Sequence, residues 1–279
     1  MNLFNLAKQN STRIKNKYIQ LRSSLKNEVQ EEKFNEIESI LSKWRISLNL
    51  TLEILFKILQ QGEYKNIFSV KKDELERLLE IEEHMKITEK EAVKRHLKNY
   101  HFPRECFNQE FDKSENFKYG AFNIGGLGIE KYGEFCLIIK EEFCLKHYSS
   151  IAFLKEDSLS YIDMGKIEIN KLAYDLSNRE CAPNLTMIKY FDLFDGVNLK
   201  SIPNIICNNK DYIEVIIEDK ILIEHFQSIR LSKLNYNYFK DILYKAYISE
   251  AEKYERMKLM IYEHVFQHLK EKNIRLLLI

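Results

Sequence analysis

From about Leu3 to Gln61 the apolar residues recur at helical spacing. Ile37, Ile40, Leu41 and Trp44 lead into Leu48, Leu52, Leu55, Phe56 and Leu59, with Lys, Glu and Gln between them. A stripe of that period predicts two or three amphipathic helices with one apolar face each. Thr88-Glu-Lys-Glu91 carries a hydroxyl that can accept from an early helical N–H, with a carboxylate three residues on, and predicts a further helix from Glu89 to about Asn99. The chain closes on a pattern that predicts one long helix from Tyr238 to Lys272.

The middle follows another rule. Phe135-Cys-Leu-Ile-Ile139, Ile151-Ala-Phe-Leu154 and Tyr212-Ile-Glu-Val-Ile-Ile217 are short runs rich in β-branched and aromatic residues, bounded by Gly, Asp, Asn and Lys, and predict strands. Glu218-Asp-Lys220 separates the last of these from Ile221-Leu-Ile223, which predicts a hairpin. Every Gly and Pro except Gly62 lies between Pro103 and Pro203, so turns are concentrated there and the ends are helical. The expected fold is α+β: a helical N-terminal region over 1–100, then a mixed β-rich core with a C-terminal helix over 101–279.

Composition narrows the classes of function. With 43 Lys and Arg against 42 Asp and Glu, the net charge of +1 advertises neither nucleic acid nor a basic partner, so partners must be argued locally. No run reaches the roughly 20 apolar residues of a membrane span, and the first ten residues lack the basic and apolar regions of a signal peptide, so the chain is expected to be made without a cleaved signal. Cys106, Cys136, Cys144, Cys181 and Cys207 are odd in number and form no C-x-x-C pair, which favours reduced, structural thiols over disulfides or a zinc site.

Two stretches carry candidate chemistry. Lys118 to Ile139 holds five of the eight glycines and reads either as a loop that approaches a ligand closely or as a plain turn between strands. Gly125-Gly-Leu-Gly128 matches neither the dinucleotide fingerprint nor the P-loop. In Asp211-Tyr-Ile-Glu-Val-Ile-Ile217 a carboxylate interrupts an apolar strand, with Tyr212, Glu214 and Ile216 on one face. Such a group lies at a solvated edge or in a pocket, because burying it unpaired is costly.

Taken in order, Tyr119-Gly-Ala-Phe-Asn123, Tyr132-Gly133, the apolar strand ending in Glu156-Asp-Ser158, and Asp211-Tyr-Ile-Glu214 resemble the motifs of a bacterial family with an ADP-ribosyltransferase-like pattern. A further likeness extends to type III effectors that ADP-riboxanate arginines. The resemblance covers about residues 100 to 232. It implies a toxin or effector that uses NAD as substrate, in the bacterial cytoplasm, as an internal growth-arrest or phage-defence toxin, or delivered into another cell. Partners would be a macromolecular acceptor, protein or nucleic acid, and an antitoxin, chaperone or host protein. It implies that Glu214 is the catalytic carboxylate, that Ser158 bonds it or the ribose, that Tyr119 or Tyr212 stacks on nicotinamide, and that Gly120 and Asn123 shape the same pocket. The family also carries an Arg on its first strand. The positional counterpart here, Tyr64-Lys-Asn-Ile-Phe-Ser-Val70, offers Lys65, a point charge without a bidentate fork, and the strand Ile151–Leu154 lacks the family's threonines.

A competing class has its own handle. Helical ribonucleases of the HEPN type carry Arg, a spacer of four to six residues and His, and here Arg77 precedes His84 and Arg95 precedes His101. Chance supplies such spacings in a chain with seven His and many Arg, and exposed helix residues are the favoured reading of them. A non-catalytic interaction protein, docking through its Lys-rich helices, is the remaining alternative. His147, His225, His264 and His268 form no H-E-x-x-H or comparable metal pattern.

Overall fold

The computed structural model describes residues 1–66, 101–194 and 196–279. Two helices, α1 (Leu3–Ser23) and α2 (Glu28–Leu41), are capped by Asn2 and Asn27, whose side chains accept from the N–H of Asn5 and Gln30 at 2.9 Å each. Strand β1 (Arg45–Leu50) follows, then α3 (Leu52–Gln61), opened by the Thr51 hydroxyl and closed by Gly62 at φ 78°, and the short β2 (Glu63–Tyr64). The second described stretch begins with α4 (His101–Glu110), β3 (Lys118–Asn123), β4 (Phe135–Ile139) and α5 (Glu141–Lys146). Next come β5 (Ile151–Leu154), the small pair β6 (Ile162–Asp163) and β7 (Lys166–Ile167), α6 (Ile169–Asp175) and β8 (Leu176–Asn178). After α7 (Ala182–Tyr190) and α8 (Ile202–Ile206) the chain forms β9 (Glu214–Ile217), β10 (Ile221–Leu222) and β11 (Phe226–Leu231). It ends in α9 (Lys233–Tyr247), α10 (Lys253–Glu271) and β12 (Arg275–Leu278).

Eight strands join into one mixed sheet in the order β12-β11-β4-β1-β3-β9-β5-β8. Only β11 and β12 run parallel; the other pairs are antiparallel. The fold is therefore α+β, with helices leading and closing it. Both faces are buried, as the near-continuous apolar strands require. On one face Trp44 stacks on Phe122 with 5.6 Å between centroids and meets Phe153 edge-on at 5.2 Å, beside Val215. On the other, Leu3 and Phe4 of α1 and Phe107 of α4 cover Leu154, Leu176 and Ile216.

Register assigns the polar residues to that second face. Glu214 lies opposite Ala121 of β3 and Leu154 of β5, and Ala121 in turn lies opposite Ser47 of β1. Alternation then puts Tyr119, Ala121 and Asn123 on the Glu214 face and Gly120 and Phe122 on the opposite one.

Three expectations need correction. The N-terminal region is not wholly helical: Arg45–Leu50 is a strand hydrogen-bonded between β3 and β4, so residues before 100 supply a central strand of the sheet. The hairpin after Ile217 does not form, because β10 pairs with β2 instead of β9. The C-terminal helix is two helices: Ser249 adopts a left-handed φ of 64°, and Glu252 starts a second helix by donating its N–H to the Glu255 carboxylate at 2.9 Å. The helix expected over 89–99 lies outside the described residues.

Candidate active site

Glu214 is the first residue of β9 and is only 3% exposed. Its Oε2 accepts from the backbone N–H of Ser158 at 2.7 Å. Ser158 reaches it because β5 ends at Leu154, level with Glu214, and the chain then turns into a 3-10 helix over Ser158–Tyr161. Asp157 caps that turn, its Oδ1 accepting from Leu159 N–H at 2.9 Å. Burial pushes the Glu214 carboxyl up to about 7, and the Asp157 carboxylate adds to the push, while Arg104 and the Ser158 bonds oppose it.

Asp157 leads outward. Its Oδ2 accepts from the Tyr212 hydroxyl at 2.5 Å, and the Tyr132 hydroxyl lies 3.3 Å from that of Tyr212 and 3.5 Å from Asp157. Tyr212 is 5% exposed and Tyr132 is 42% exposed, so the set runs from the interior to the surface. Burial, with Glu214 and Asp157 close by, holds the Tyr212 phenol far above its ordinary value, so it remains a donor.

On the inner side stands a cation that the sequence motifs did not reveal. Arg104 of α4 lies over the Tyr119 ring at 3.6 Å from its centroid and donates from Nη1 to the Ser158 hydroxyl at 3.3 Å. Burial works against its charge, but Tyr119, Glu214 and Asp157 outweigh burial and hold the guanidinium above its ordinary value. The Tyr119 hydroxyl is buried and has no hydrogen-bond partner among the described residues. Burial pushes that phenol up to about 12, so it stays a neutral donor beside the Arg104 guanidinium, and no described residue accepts from it.

Of the residues singled out in the sequence, Tyr119, Ser158, Tyr212 and Glu214 come together here. Gly120 does not: it faces away, and a Cβ there would stand 2.7 Å from Ser47 O and 2.8 Å from Leu48 Cδ2, so glycine is needed for close packing of β3 on β1. Asn123 shares the Glu214 face, yet its amide is spent on the Gly-rich segment. Nδ2 donates to Ser47 Oγ and Gly126 O at 3.2 Å each, and Oδ1 accepts from Gly125 N at 2.8 Å and Arg230 at 3.0 Å. Lys65 follows β2 on the small β2–β10 sheet, and Arg104 is the cation beside Glu214. Arg77, His84 and Arg95 lie outside the described residues, and His101 begins α4. All five cysteines are free, and no group of three or more metal-ligating side chains occurs among the described residues. No described helix is long and apolar enough to cross a membrane.

The arrangement has a definite chemical competence. A carboxyl that titrates near neutrality sits between a fixed anion, Asp157, and a fixed cation, Arg104, and can give or take a proton at neutral pH or face a developing positive charge. No family model, no curated protein and no solved structure matches this chain.

Proposed function

We propose that the protein is an NAD-dependent mono-ADP-ribosyltransferase-like toxin or effector that modifies a macromolecular acceptor, with Glu214 as its working carboxylate. One observation carries this reading. Three separate motif segments, carrying Tyr119, Ser158 and the pair Tyr212 and Glu214, meet around the buried Glu214 carboxyl, beside a tyrosine hydroxyl to which no described residue offers an acceptor. A polar ligand with an acceptor group would satisfy that hydroxyl.

In this chemistry the bond from ribose C1′ to the nicotinamide nitrogen breaks, its electron pair leaves with nicotinamide, and an acceptor nucleophile bonds to C1′. Ionised Glu214 would oppose the positive charge that develops on the ribose and take the proton of the nucleophile. The Ser158 N–H holds that carboxyl in place, Arg104 steadies Ser158 through its hydroxyl, and Asp157, fixed by Tyr212, keeps a second negative charge nearby. Tyr119 and Tyr212 offer aromatic edges to a planar ring, and Tyr119 offers its hydroxyl as well.

The test is nicotinamide release from NAD by the purified chain, with cell lysate as a pool of acceptors and Glu214→Ala as control. Release by the native chain alone is the expected result. Equal release by both proteins, or by neither, overturns the reading.

A further inference from the structure

The β5–β9 ladder runs out at the pair Leu154 and Glu214, and past it the two continuations no longer pair with each other; each is tied to its other neighbour instead, Lys155 N–H donating to Asp175 O and Ile213 O accepting from Phe122 N–H at 3.0 Å each. Those two continuations are what carry the site. Asp157 and Ser158 follow β5 by three and four residues, and Tyr212 precedes β9 by two.

One ammonium joins them. The Lys189 side chain, on α7, is 5% exposed, and its Nζ donates to Lys155 O and to Glu156 Oε2 at 3.1 Å on the β5 side. On the β9 side it donates to Tyr212 O at 2.9 Å and pairs with Asp211 Oδ1. All of these partners lie within three residues of Asp157, Ser158 or Glu214. A buried ammonium between two carboxylates adds little net stability over an apolar side chain, because desolvation offsets the attraction. What it does provide is a fixed separation between two backbones, since its donors bind a carbonyl on each.

We infer that Lys189 is a positioning residue for the Glu214 site, clamping the two chain segments past the end of the ladder so that the Ser158 N–H meets the Glu214 carboxyl. It touches neither group itself. The inference rests on Glu214 being the working carboxyl, but it does not depend on NAD being the substrate. Around Glu214 the charged and titratable groups are Asp157 from the turn, Arg104 from α4, Tyr119 from β3 and Tyr212 ahead of β9, and only the turn and the approach to β9 are tied to Lys189.

Amide hydrogen exchange on the full chain tests this without any substrate. In Lys189→Met the Ser158 and Leu159 amides are expected to exchange at least about ten times faster, while amides of β1 keep their native rates. Carbon-13 titration of labelled Glu214 is expected to move away from about 7, because the Ser158 N–H that lowers it and the burial and Asp157 carboxylate that raise it all change when the turn is released. Lys189→Arg, which keeps the charge and the donors, is expected to restore slow exchange at Ser158. Should Lys189→Met fail to fold because Glu156 and Asp211 lose their cation, Lys189→Met with Asp211→Asn removes the surplus charge and is measured in its place. Unchanged exchange and titration in a folded variant overturn the inference, and so does equal acceleration of the β1 amides, which marks general loosening. Loss of the NAD reading with selective exchange at Ser158 leaves the clamp standing.

Discussion

On one face of the sheet two buried polar clusters stand side by side, one around Glu214 and one around the Gly-rich segment, and they differ in what they have left to bind. Asn49 donates to Leu127 O and Gly133 O at 3.0 Å each and accepts from Ile129 N at 2.7 Å. Asn123 and Arg230 close the same segment, with Arg230 Nη1 reaching Asn123 Oδ1 at 3.0 Å and Gly126 O at 2.9 Å. Every Asn side-chain group there is engaged, and none of the partners is a carboxylate. Around Glu214 no described residue accepts from the Tyr119 hydroxyl, burial pushes a carboxyl up to about 7, and two charges of opposite sign stand near it. Satisfied networks rigidify a fold, whereas unspent donors and a displaced titration mark a place where something else must act. Tyr119 and Asn123 are four residues apart in one motif, and the contrast divides them between the two clusters.

The largest break in that contrast is Glu214→Gln. NAD turnover is expected to fall by about a thousandfold or more, in line with loss of the group that meets developing charge, measured as nicotinamide release. Stability should change in the opposite direction. The folded carboxyl holds its proton up to about 7, against about 4.5 for an ordinary glutamate, so the native state binds more protons than the unfolded chain between those values. The contribution of Glu214 to stability is therefore fully present below about 4.5 and declines by about 3 kcal/mol as pH rises through 7. The Gln variant lacks that decline and should be the more stable protein at pH 8. Urea denaturation of both proteins at pH 5 and pH 8 checks the sign; a native chain that gains stability relative to the Gln variant over this window contradicts a raised Glu214.

The Gly-rich cluster should respond the other way round. Asn49→Ala leaves two carbonyls and one N–H without their partner and is expected to cost about 2 to 4 kcal/mol of stability, with turnover per folded molecule unchanged. Gly128→Ala attacks the same point from the loop, since its φ is 71° and a Cβ would stand 2.1 Å from Asn49 Oδ1. If either variant lost turnover ahead of stability, the two clusters would belong to one site.

A subtler change separates the influences within the site. Arg104 lowers the Glu214 titration, so Arg104→Met removes that pull and the carboxyl should titrate higher. The pH at which turnover rises is expected to shift to the alkaline side by the same amount, read from kcat/KM against pH. An acid shift would mean that Arg104 acts mainly by keeping water out.

Much of the architecture is legible in the residues. The strands Phe135–Ile139, Ile151–Leu154 and Glu214–Ile217 announce themselves through β-branched runs, and the capped helices at the N-terminus through their apolar stripe. Strand β1 was hidden because Ile46, Leu48 and Leu50 alternate with period two while Trp44, Leu48, Leu52 and Leu55 continue a helical series through the same positions. The carboxylate and its tyrosines could be named because they sit in ordered short motifs. Arg104 could not: it lies on a helix among Phe102, Phe107 and Phe111, where nothing local distinguishes it from a surface cation, and only the packing of α4 over β3 brings it to Tyr119. Lys189 was hidden for the same reason, since its four partners come from two chain segments more than fifty residues apart.

The smallest effect is predicted where the family resemblance pointed to a cation. If an Arg on the first strand of such enzymes has its functional equivalent in Lys65, removing it should weaken turnover. Lys65 instead adjoins a two-stranded sheet formed with β10, and the charge beside Glu214 comes from α4. Lys65→Ala is therefore expected to leave turnover intact and to change stability by no more than about 0.5 kcal/mol, as surface substitutions commonly do. A paired comparison of Lys65→Ala and Arg104→Met in the same nicotinamide assay then decides which cation serves the carboxyl. Equal losses would return Lys65 to the site, and loss in Arg104→Met alone would mean that the helix has taken over a task the first strand performs elsewhere.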